Sequence, residues 1–194
     1  MDIDDLIDSV REMISDVAIE IDLDEELYPI VSVTNSSDYN SVIDSLYMLE
    51  DTQLAKHAFV ARSNELSFGE LYLYFYGVLN SIYMQQQAIL VILRKMGISF
   101  DANELRQCKV FDIRNSFAAH GANRGGRGET EHSFILDRHA LQIGKVSGYS
   151  ANHDQGDVFH DVYVSDLLSE WDKVLSKHLG FIHSKVKYNV EYVI

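Results

Sequence analysis

The chain has 194 residues, 46% of them apolar, with a mean hydropathy of −0.10 and a single proline, Pro29. That composition excludes an unstructured chain, suits one domain with a real core, and leaves long stretches free to be helical. The net charge of −14 argues against a nucleic-acid partner for the chain taken as a whole.

The charge is unevenly spread. Residues 1–26 hold eleven acids against Arg11 alone, whereas Arg106, Lys109, Arg114, Arg124 and Arg127 meet a single acid, Asp112, between residues 106 and 127. For charges alone, a solvated helix face explains such a basic middle better than a binding surface does. The longest apolar runs, 71–76 and 88–93, fall far short of the ~20 residues a membrane span needs. The acidic start, MDIDDLID, is unlike a secretory leader, and lone Cys108 has no internal disulfide partner. Together these predict a cytoplasmic protein without a membrane anchor.

Ile3, Leu6, Ile7, Val10, Met13, Ile14 and Val17 recur at helical spacing with acids between them, which predicts an amphipathic helix over 4–21 that ends before Pro29. Ser36, Ser37 and Asp38 offer N-caps for a second helix running to about residue 62. The third is bounded at both ends. Ser67 and Glu70 form a capping box, Arg94 and Lys95 suit the negative end of the dipole, and Gly97 can close it. Between them the sequence is apolar nearly all round, as befits the middle of a bundle.

A fourth helix is expected over 102–119, capped by Asp101 with Glu104 in the reciprocal place and stopped by Gly121. A glycine-rich loop follows to Gly128. Residues 133–137 and 141–146 read as a short β-hairpin, with 158–164 as a third strand. Leu167, Leu168, Trp171, Val174, Leu175, Leu179, Ile182 and Val186 then form one stripe of a last helix. The expected fold is mainly α: a bundle of about five helices in one domain, 1–194, with a small hairpin or three-stranded insertion near 132–164.

The chemistry is carried by Arg114, Asn115 and His120. On a straight α-helix Arg114 and His120 would stand ~9 Å apart along the axis and roughly 120° apart around it. Both could reach one ligand where the helix frays before Gly121, particularly if a symmetry mate brings a second set. The residues also fit a plainer reading. In it, Arg114 pairs with an acid of the first helix, and His120 ends a helix whose dipole favours a cation.

Arg, a following polar residue, and His at the end of a late helix resemble the signature of the HEPN family, in which four to six residues separate Arg from His. Here five separate Arg114 from His120, and Asn115 fills the polar place. The resemblance covers about residues 64–120; 132–164 looks like a family-variable insertion. It implies a metal-independent endoribonuclease that acts as a homodimer, without a cofactor, in a toxin–antitoxin or defence setting with an antitoxin partner. His120 would move protons near neutral pH, Arg114 would grip the phosphate, and Asn115 would orient either. Lys109, Arg124 and Arg127 would follow the RNA backbone. The alternative is a non-catalytic helical dimer that binds RNA, nucleotide or protein through the same surface. Family members controlled by a nucleotidyltransferase often carry Tyr two residues after the His; here Ala122 stands there, so modification at that tyrosine is not expected.

Other signals lead elsewhere. The glycine-rich loop follows a helix and lacks Gly-Lys-Ser/Thr, so it is not a P-loop. His132, His139, His153 and His160 match no zinc spacing, and no metal site is expected. Tyr72, Tyr74, Tyr76 and Tyr83 pack or line a groove, and Cys108 reads as a small core residue.

Overall fold

Four long helices carry most of the buried apolar side chains, and two of them start close to where the capping residues put them. The structure, a computed structural model, describes residues 2–20, 27–62, 65–119, 133–151 and 158–193. Over these run α1 (Ile3–Glu20), α2 (Ser36–Val60), α3 (Phe68–Lys95), α4 (Ala102–Arg106), α5 (Lys109–Ile113), a π-helical segment (Arg114–Ala119), β1 (Ser133–Leu136), α6 (Arg138–Gln142), β2 (Lys145–Ala151), β3 (Val158–Tyr163) and α7 (Val164–Val193). The fold is mainly α, a helical bundle with a small antiparallel sheet, as the sequence predicts. No described helix is long and apolar enough to cross a membrane.

Backbone donors at the helix starts are satisfied by short polar side chains. At α3 the box is complete: the Ser67 N–H donates to Glu70 Oε2 (2.8 Å), and the Glu70 N–H to Ser67 Oγ (3.4 Å). The cap of α2 is Asn35, one residue before the serines, whose Oδ1 accepts from the Asp38 N–H at 2.9 Å. The end of α3 is a Schellman turn. Gly97 has φ 64°, its N–H donates to the Arg94 carbonyl, and the Ile98 N–H donates to that of Leu93.

The chain divides into two compact units. The first comprises Met1–Leu54, Met84–Leu105 and Asp172–Ile194. In it α1 buries Leu6, Ile7, Val10 and Ile14, while Asp5, Asp8, Glu12 and Asp16 are exposed. Two buried glutamines of α3 are each satisfied: Gln85 donates to Gln53 Oε1 (3.0 Å), and Gln86 to the Leu105 carbonyl (2.7 Å). Asn189 of α7 donates to the Ile30 carbonyl and to Ser32 Oγ, both at 2.8 Å, which fixes the turn before α2.

The second unit comprises Ala55–Tyr83 and Arg106–Trp171. Its sheet has the order β1-β2-β3, with Leu136 opposite Gly148 and Gly148 opposite His160. Trp171 is fully buried, with the Phe111 ring edge-on at 5.2 Å.

Two expectations are corrected here. The helix expected over 102–119 is three pieces, α4, α5 and the π-helical segment. It breaks at Cys108, which is buried and extended (φ −61°, ψ 136°), and α5 restarts with the Lys109 N–H donating to the Glu170 carboxylate at 3.2 Å. A carboxylate 61 positions away thus supplies the cap. The strand expected over 141–146 begins only at Lys145. Asp137 accepts from the His139 N–H (2.8 Å) and starts α6 instead, and Gly144, with φ 74°, turns the chain into β2.

His178 gives the first unit a pH dependence. It is 1% exposed between the rings of Phe100 and Phe181, with Nε2 3.4 Å from Glu104 Oε2. Burial holds its pKa below the usual value despite that carboxylate. The unfolded chain therefore binds the extra proton first. Stability is complete above the ordinary histidine value of about 6.5 and is lost as pH falls from there towards the lower folded value. Urea midpoints should fall over that window, before the carboxylates titrate, and His178→Leu should remove that part of the slope.

Candidate functional site

The site is built on the wide turn that follows α5. Lys109–Ile113 makes a short α-helix with Val110, Phe111 and Ile113 buried; at Arg114 the backbone widens into a π-helix that runs to Ala119. Such i→i+5 segments are rare and often mark functional positions. This one begins on the arginine singled out from the sequence.

Arg114 is half-buried and held from three directions. Its Nη1 donates to Asn115 Oδ1 at 3.1 Å, and its Nη2 to Asn80 Oδ1 of α3 at 3.3 Å. The guanidinium lies over the Tyr83 ring, 4.2 Å from the centroid, a contact a flat cation makes well. Its Nε is buried with no hydrogen-bond partner among the described residues. All partners of Arg114 among the described residues are uncharged.

The opposite side of the π-helix is anchored on the sheet. Phe117 is 6% exposed and meets Phe134 of β1 (5.7 Å, 72°) and His160 of β3 (5.4 Å, 88°) edge to face. Gly148 of β2 makes this approach possible. A Cβ there would lie 3.0 Å from Phe117 Cε1 and 2.2 Å from the Ile135 carbonyl oxygen.

Of the residues expected at the site, the structure brings Arg114 and Asn115 into direct contact. Lys109 lies at the start of α5, exposed, and is not among the partners of Arg114. His120, Arg124 and Arg127 lie outside the described residues. The sequence does not point to Asn80, and for Tyr83 it suggests only packing or a groove. Their signal in the sequence is faint: a polar and an aromatic residue three apart on an otherwise apolar helix. His139 meets Phe68 edge to face (5.1 Å, 86°), as His160 meets Phe117. Among the described residues no group of His, Cys, Asp or Glu could hold a metal ion.

The fold and site thus define a mainly α helical bundle carrying an arginine on a π-turn beside a three-stranded sheet. No protein-family model matches the chain, and no curated protein or solved structure matches it.

Gly148→Ala tests the anchoring of this turn. Because the added methyl meets backbone, it should cost about 1–3 kcal/mol in urea denaturation. The near-ultraviolet circular dichroism of the Phe117 cluster should change with it.

Proposed function

We propose that this protein is a metal-independent endoribonuclease in which Arg114, Asn115 and His120 act on one phosphodiester. The observation that carries the reading is Arg114: a guanidinium oriented by Asn115, Asn80 and Tyr83, with no carboxylate among its described partners. Two of its five N–H donors go to amide oxygens, which set the plane of the group without neutralising its charge. Such a cation suits a phosphate.

The reaction needs no redox partner. The RNA 2′-hydroxyl loses its proton to a base and attacks the adjacent phosphorus. The bond from phosphorus to the leaving 5′-oxygen breaks, and that oxygen takes a proton. Products are a 2′,3′-cyclic phosphate and a 5′-hydroxyl. Histidine titrates near neutral pH, and His120 serves as the proton carrier. Arg114 stabilises the charge that builds on the phosphoryl oxygens. The active form is a homodimer in the cytoplasm, controlled by an antitoxin protein.

The test is cleavage of transfer RNA and total RNA in EDTA. Wild type should cut and leave cyclic-phosphate ends. His120→Ala should lose about a hundred- to ten-thousand-fold in rate at unchanged circular dichroism. Arg114→Lys should also be impaired, because an ammonium reproduces neither the planar fork nor the stacking on Tyr83. Binding of RNA without cleavage by wild type would replace this reading with the non-catalytic one.

A further inference from the structure

The first half of α3 keeps one side uncovered, and Arg114 sits on that side. Leu71, Phe75, Val78, Leu79 and Ile82 are buried, whereas Leu73, Tyr76, Gly77, Asn80 and Tyr83 are exposed. Residues three and four apart on a helix are neighbours, so Tyr76 and Gly77 both flank Asn80, which accepts from Arg114. From Tyr83, beneath the guanidinium, to Tyr76 is two helical turns, ~10 Å along the axis.

Tyr76 is a fixed ring with an open side. Its neighbours Tyr72 (5.8 Å, 31°) and Phe75 (5.7 Å, 46°) hold it, and Tyr72 is itself tied by its hydroxyl to the Leu136 carbonyl of β1 at 3.5 Å. Yet Tyr76 remains 39% exposed.

Gly77, beside it, has no steric reason to be glycine among the described residues. It sits mid-helix without a positive φ, and a Cβ built on it meets nothing within 4 Å. Glycine there costs about 1 kcal/mol relative to alanine. A bare patch of backbone on an exposed helix face, between an aromatic ring and a phosphate-sized cation, is what a ligand approaching the main chain would use.

An anion meets less net negative charge at this unit than at the first. The first unit carries nineteen carboxylates against seven Lys and Arg; the second carries eleven against nine.

From these observations we infer that the exposed strip of α3 is a nucleotide subsite for single-stranded RNA. Tyr76 stacks a base, the Gly77 backbone admits the nucleotide's close approach, and Arg114 holds a phosphate two turns away. The inference rests on the phosphodiester reading of Arg114 and adds the substrate's form: an unpaired strand, since a base inside a duplex presents no face to stack.

The experiment is binding of a fluorescent single-stranded 2′-O-methyl oligonucleotide, which lacks the attacking hydroxyl, to wild type, Tyr76→Ala, Tyr76→Phe, Gly77→Ala and Arg114→Ala. Stability and sedimentation are measured alongside. Tyr76→Ala should weaken binding about 5- to 150-fold while Tyr76→Phe binds like wild type. Gly77→Ala should melt higher yet bind more weakly, an opposition that mere loss of folding does not produce. A duplex of the same sequence should compete poorly. If Arg114→Ala loses binding but Tyr76→Ala and Gly77→Ala keep it, the subsite is overturned and the phosphate reading stands. If wild type does not bind the strand, both fall. If Tyr76→Ala changes only the sedimentation coefficient, the strip holds a second copy of the chain and the inference is wrong.

Discussion

The arrangement around Arg114 depends on the sidedness of α3. A helix apolar nearly all round must find neighbours for most of its circumference, and in this chain the need changes along its length. From Gln85 to Leu93 almost every side chain is buried, polar Gln85 and Gln86 included. Between Leu71 and Tyr83 only one side is buried, and the other presents Tyr76, Gly77, Asn80 and Tyr83. Asn80 and Tyr83 then meet the guanidinium. A hydrophobic requirement thus decides where a polar site can exist.

The second constraint is the π-turn. It puts Arg114 towards α3 and Phe117 towards the sheet within four positions. Phe117 is seated because β2 has glycine at 148, where even a methyl group would collide with the neighbouring strand. The sheet therefore works as a support: its inner residues Phe134 and His160 fix the turn that carries the arginine. Small rigid supports of this kind matter because a guanidinium exploits its geometry only when its plane is held.

Buried polar groups in the first unit are paired in ways that specify the packing. A glutamine left unbonded in the interior would cost about 1–3 kcal/mol, so Gln85 facing Gln53 and Gln86 facing the Leu105 carbonyl favour one alignment of the helices over slipped ones. Asn189 does the same for the turn at Ile30 and Ser32. His178 is different: burial keeps it neutral, and Glu104, which a neutral ring does not need, is engaged instead by Lys177 at 2.7 Å.

Local chemistry determined the long helices and their ends. Heptad-like spacing marks α1, Ser67 with Glu70 opens α3, and Gly97 closes it, because these signals act between residues one turn apart. The mainly α class and the small antiparallel sheet follow from the same reasoning. Tertiary structure alone decided the rest. Every residue from Arg114 to Ala119 is compatible with an ordinary α-helix, so nothing in the pattern announces a π-turn. The break at Cys108 is stabilised by Glu170, whose proximity to Lys109 exists only after α7 has packed. The contact of Asn80 and Tyr83 with Arg114 likewise spans more than thirty positions. Periodicity reports which side of a segment seeks burial; it does not report which polar residues meet when that burial is complete.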